Sequence, residues 1–169
     1  MTKKLKLNPE VCYMLGLCSQ FRRERSSIMT LSVLDSVTER FASIAMKEFG
    51  IEPNAIMVDK GEKDTRIRFY HSQIGRLFDQ ALERREHVFK YRNAYSGSYI
   101  AGMFDAVGRE DGEALYFYGM KKEDAMVLER LGFHTVNKGR KTYIANAAEL
   151  AAFIKGFSLR LSEHRKRRE

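Results

Sequence analysis

The stretch SGSYIAGMFDAVG, residues 96–108, sets Gly102 in the middle of a run that otherwise reads as helix. Interior glycine costs a helix about 1 kcal/mol relative to alanine, so Gly102 needs a compensating close approach. Ser98, Gly102 and Ala106 recur four residues apart and form one stripe of small side chains. An earlier helix, VCYMLGLCSQF at 11–21, carries Gly16 in a matching stripe with Cys12 and Gln20. Gly16 and Gly102 stand 86 residues apart, and the elements after each follow in the same order. The simplest reading packs the two helices together, with Gly16, Ala101 and Gly102 at the seam. The alternative is that each glycine accommodates one bulky neighbour.

Working outward, Asn8-Pro9-Glu10 reads as a cap with proline at the first helical position, opening a helix that runs to near Arg22. SSIMTLSVL, 26–34, alternates as a strand with one buried side. Asp35 or Ser36 caps SVTERFASIAMKEF, and Gly50 ends it. AIMVDKGEKDTRIRFY reads as a hairpin turning at Gly61, with Ile67 and Phe69 inward and Arg66, Arg68 and Tyr70 outward. Ser72 starts the next helix. The second half repeats this order: strand EALYFYG, helix KKEDAMVLERLGF ended by Gly132, a hairpin turning at 137–139, and a last helix AAELAAFIKGFSLRL before the basic tail. Such self-similarity predicts an α+β fold of two repeats, 1–94 and 95–169, joined near 92–97 and acting as one structural domain.

IAGMFDAVG, 100–108, resembles the LAGLIDADG motif of homing endonucleases. Ala101, Gly102, Asp105, Ala106 and Gly108 agree with it, and Ile100, Met103 and Phe104 are apolar where the motif is apolar. MLGLCSQFR, 14–22, is a fainter copy, matching at Gly16 and Leu17. The resemblance implies two pseudo-symmetric repeats packed through the motif helices, with the sheets forming a saddle over the DNA major groove. It also implies a metal-binding acid at the foot of each motif helix. Phe21 and Val107 hold those positions here, and neither side chain can hold the ions that phosphodiester cleavage uses. Asp105 matches the motif's other acidic position, which is read as structural. The expectation is a non-catalytic protein with no metal or other cofactor.

Cleavage would require displaced carboxylates, with Asp105, Glu24 and Glu110 as the catalytic set (Asp111 lies beside them) and Mg2+ as cofactor. The plainer reading makes Glu24, Glu110 and Asp111 solvated loop charges. About a dozen residues separate each motif from its next helix, room for one strand or a short hairpin. That leaves a smaller nucleic-acid footprint than the long ribbons of the nucleases. His71, His87, His134 and His164 have no helical pairing that suggests a metal site, and no GxxxxGK[ST] or strand-linked GxGxxG occurs.

Cations are better placed. Arg22, Arg23 and Arg25 follow the first motif helix; Arg66, Arg68 and Tyr70 share a strand face; Lys138, Arg140 and Lys141 cluster in the second hairpin. The chain carries 30 Lys and Arg against 22 Asp and Glu, a net charge of +8 that favours a polyanionic partner. Phosphate contacts supply most non-specific affinity, and arginine or tyrosine on a strand face can also reach bases. The expected partner is duplex DNA, with structured RNA second, bound by a monomer. A third reading is a protein–protein adaptor with an exposed apolar patch including Tyr116 and Tyr118. With 44% hydrophobic residues, no apolar run of membrane length and only Cys12 and Cys18, the chain reads as cytoplasmic, without a standard secretion signal or disulfide framework.

Overall fold

Helix α1 (Pro9–Ser19) begins where the Asn8 side chain accepts the Val11 amide and Pro9 occupies the first turn. The structure, a computed structural model, describes residues 5–21, 24 and 26–161. Residues 11 to 19 of α1 are all buried, as are residues 96 to 106 of α5 (Ala94–Val107). A helix apolar on every side belongs at the centre of the molecule, and these two pack against each other there. The glycines set the approach. A methyl on Gly16 would land on the Tyr99 carbonyl oxygen and 2.9 Å from the Met103 nitrogen; one on Gly102 would meet the Tyr13 carbonyl and lie 2.9 Å from the Leu17 nitrogen. The backbones touch, so the seam reading holds over the single-neighbour alternative.

In the first repeat, β1 (Ser27–Ser32), α2 (Asp35–Phe49), β2 (Met57–Lys60), β3 (Thr65–Tyr70), α3 (Ser72–Glu83) and α4 (Arg85–Val88) follow α1. In the second, β4 (Gly108–Asp111), β5 (Ala114–Tyr118), α6 (Lys122–Arg130), β6 (Thr135–Lys138), β7 (Lys141–Ile144) and α7 (Ala147–Ile154) follow α5. Each repeat forms an antiparallel sheet, ordered β1-β3-β2 and β4-β5-β7-β6. The extra strand β4 occurs in the second repeat alone among the described residues. One face of each sheet packs inward: Phe69 meets Phe41 of α2 at 5.7 Å, and Phe117 meets Phe104 of α5 edge-on at 5.6 Å. Full burial of each such ring contributes about 1.5–3 kcal/mol.

Several boundaries differ from the sequence reading. Helix α1 ends at Ser19, before Arg22, because Thr30 and Lys121 take up the Leu17 and Ser19 carbonyls, at 3.1 and 3.0 Å. That explains why β1 turns its hydroxyl-bearing face, Ile28, Thr30 and Ser32, inward and leaves Met29 and Leu31 partly open. Leu34, not Asp35 or Ser36, caps α2. The residues 94–97 are the first turn of α5, capped by Asn93, so the join lies ahead of them. The second hairpin turns at Gly139 and Arg140, with Asn137 and Lys138 inside β6. The last helix breaks after Ile154 and restarts at 159, for a reason found at the foot of α5.

Candidate nucleic-acid interface

Asp105 is fully buried near the end of α5. Its carboxylate accepts the Tyr13 and Ser158 hydroxyls, both at 2.6 Å, and the Leu159 and Arg160 amides at 2.9 and 3.1 Å. Burial pushes its pKa above the ordinary carboxylate value against the pull of these four donors. Asp105 therefore ties the two motif helices together and caps the restarted C-terminal segment, which is why α7 stops early. The corresponding position in α1 is Ser19, whose hydroxyl bonds the Gly16 carbonyl and the Tyr99 side chain but brings no carboxylate. Instead Asp124, from α6, accepts the Tyr99 hydroxyl at 2.6 Å, Gln20 at 2.9 Å and the Arg85 guanidinium at 2.7 Å. Sequence reasoning missed this second buried carboxylate. The spacing of Tyr13 and Tyr99, identical to that of the two glycines, was the available signal.

At the helix feet, where metal-binding acids would stand, Phe21 and Val107 line a cavity of about 620 Å3 together with Leu31, Val33, Tyr116 and Tyr118. The fallback acids do not converge on it. Asp105 is enclosed by its four donors, Glu24 lines an adjoining cavity of about 240 Å3 that shares Phe21 and Leu31 with the first, and Glu110 pairs with Leu115, placing it on the inward side of β4. Among the described residues no group of three His, Cys, Asp or Glu could hold a metal ion. Asp64 is the only carboxylate among the described residues that line this cavity, and one carboxylate beside Arg109 and Arg160 does not fit the divalent ions of the nucleases. Burial pushes the Cys12 thiol up to about 12, consistent with a core filler.

The outward sheet faces carry cations and rings in alternation. Arg66, Arg68 and Tyr70 face out from β3, with Arg68 6.0 Å from the Tyr70 ring centre. On the second sheet, Tyr116 and Tyr143 pack at 5.2 Å, with Lys141 4.8 Å over the first ring and Lys138 5.1 Å over the second. Arg109 stands opposite Tyr116 across the β4–β5 ladder. Arg140 sits in the hairpin turn. None of the ion pairs between described residues uses Arg66, Arg68, Lys138, Arg140 or Lys141. Thus the structure brings Arg66, Arg68, Lys138, Lys141 and Tyr70 onto two outward faces, with Arg140 exposed in the turn beside the second. Arg22, Arg23, Arg25 and the basic tail lie outside the described residues. Arg109 and Tyr143 were missed, although strict alternation from Lys141 predicted the latter.

No protein-family model matches the chain, and no curated protein matches it. Solved structures do. It is similar to mesophilic variants of the homing endonuclease I-DmoI, with a TM-score of 0.67 at 15% identity over 88% of this chain and 96% of that one. I-DmoI in complex with DNA and Mn gives a TM-score of 0.66 at 15% identity, covering 86% and 96%. The N-terminal LAGLIDADG domain of DUF199/WhiA gives 0.61 at 14% identity, covering 94% and 85%. No helix among the described residues is long and apolar enough to cross a membrane. Two antiparallel sheets carried by a glycine-seamed helix pair, matched across nearly the whole chain, give this protein the α+β fold of the LAGLIDADG homing endonucleases.

Proposed function

We propose that this chain is a non-catalytic nucleic-acid-binding protein that prefers duplex DNA, takes structured RNA second, and acts as a monomer without a metal cofactor. The observation that carries this is the chemistry of the two outward faces. Five cations outside the described ion pairs flank a centre that holds Phe21 and Val107 where hydrolysis would need carboxylates. Arg66, Arg68, Lys138, Arg140 and Lys141 supply phosphate contacts, and Tyr70 offers a ring to a base edge. Arginine forks and lysine ammonium groups suit phosphate oxygens, and each contact releases counterions.

Anisotropy with labelled duplex DNA and a structured RNA, across salt concentrations and with or without magnesium, tests this. Five phosphate contacts give a log–log salt slope of about −4 to −5, so affinity falls several hundredfold between roughly 50 and 200 mM salt. The nucleic acid stays intact on a denaturing gel. Magnesium-dependent nicking that Glu24→Ala or Glu110→Ala abolishes would establish the displaced-carboxylate endonuclease instead. Absence of binding at low salt would leave the protein adaptor, which the half-open Tyr116 and exposed Tyr118 at the cavity mouth favour.

A further inference from the structure

We propose that the cavity at the feet of α1 and α5 holds one extrahelical nucleobase projecting from a bound duplex, an inference that rests on the nucleic-acid reading above and names what its centre recognises. At about 620 Å3 the cavity falls within the roughly 300–1,000 Å3 of sites that bury small organic groups. Both repeats build its walls, Phe21, Leu31 and Val33 from one and Val107, Tyr116 and Tyr118 from the other. Val33 is 55% exposed and Tyr118 47% exposed, so apolar and aromatic surface faces water at the middle of a cationic surface. A phosphate cannot cover that surface, because it brings no apolar area and loses its own hydration there.

A base has two π faces to stack against such walls and a polar edge that needs few partners. Arg160 lines the cavity as well, and Asp64 and Arg109 add a carboxylate and a guanidinium to the lining. The carboxylate can accept from an exocyclic amine. The guanidinium donates one N–H to the Gly108 carbonyl at 2.7 Å and has further donors for a ring nitrogen or carbonyl. Cations adjoin the walls on both sides: Arg66 pairs across the ladder with Leu31, and Lys141 covers Tyr116. An apolar side chain of a protein partner would fill the same walls, but it would make no use of positive charge on either flank. The charge favours the nucleotide.

Two duplexes test the proposal with the full chain: one fully paired, and one identical except for a single unpaired fluorescent adenine analogue at its centre. The unpaired site should bind about tenfold more tightly, the size of one base–aromatic stack, and its fluorescence should be quenched on binding. Tyr118→Ala and Val33→Asp, both at exposed positions, should bring the unpaired duplex down to the affinity of the paired one and abolish quenching. Lys138→Ala should weaken both duplexes alike. Equal affinities without quenching would overturn the base pocket while leaving nucleic-acid binding in place. Failure to bind either duplex at low salt would overturn both readings.

Discussion

Gly16→Ala adds one methyl group at the place where α1 and α5 touch. In an open helix the change would stabilise by about 1 kcal/mol. Here the methyl lands on the Tyr99 carbonyl and 2.9 Å from the Met103 nitrogen, and both atoms are backbone that cannot rotate aside. A carbon needs about 3.3–3.6 Å from a carbonyl oxygen, so the helices must separate by on the order of 1 Å. A gap of about 0.5–1 Å forfeits a quarter to a half of the dispersion well for each facing atom pair. The same movement strains the Tyr13–Asp105 hydrogen bond, which spans the seam at 2.6 Å. Overpacking of roughly 2–4 kcal/mol and a weakened charge-assisted bond of about 2 kcal/mol, less the propensity gain, give a net loss of about 3–5 kcal/mol. At about 2–4 °C per kcal/mol for a chain of this size, the melting temperature should fall by roughly 10 °C. Urea unfolding followed by circular dichroism measures the loss. Gly156→Ala is the control, because nothing lies within 4 Å of its added methyl, and it should shift stability by less than about 1 kcal/mol. The Gly16→Ala, Gly102→Ala double variant should lose less than the sum of the singles, since one separation relieves both clashes. A neutral or stabilising Gly16→Ala would refute the close seam.

Asp105→Asn puts an amide among four donors, so it should cost about 2–4 kcal/mol and open the segment after Ile154 to proteolysis, read by urea midpoints and peptide mapping. Burial first, and the Asp105 carboxylate next, hold the Tyr13 phenol well above its ordinary pKa of 10; burial and Asp124 do the same for Tyr99. The unfolded chain therefore releases these protons first. Their stabilisation is complete below about pH 10 and falls by about 1.4 kcal/mol per tyrosine per pH unit above it, until the folded groups titrate. The buried Cys12 thiol, pushed up to about 12, adds a comparable slope from about pH 9, so Tyr13→Phe should remove roughly a third of the alkaline slope in the pH dependence of the urea midpoint. Arg66→Ala and Lys141→Ala should each reduce the salt slope of DNA binding by about 1 and weaken all sequences alike, measured by anisotropy.

The sequence by itself determined the helix seam and the faces of β3, because both follow from local rules. Two helix-interior glycines at matching places in the repeat, Gly16 and Gly102, point to a close approach, and alternation in TRIRFY puts Arg66, Arg68 and Tyr70 outward once Ile67 and Phe69 are buried. The motif positions of Phe21 and Val107 could be read the same way, by counting from Gly16 and Gly102. The tertiary structure alone decided which groups satisfy the buried ends. Hydropathy gives no reason for β1 to bury Thr30 and Ser32 while leaving Leu31 partly open; the Leu17 carbonyl at the end of α1 supplies one. Composition favours AAELAAFIKGFSLRL as one helix, yet the Asp105 carboxylate, far away in sequence, captures Ser158, Leu159 and Arg160 and breaks it. Asp124 reads as an exposed first-turn acid until Tyr99, Gln20 and Arg85 enclose it. Periodicity reports which face of an element is apolar, whereas a buried polar atom must find its partner in space, and in this chain those partners come from other elements.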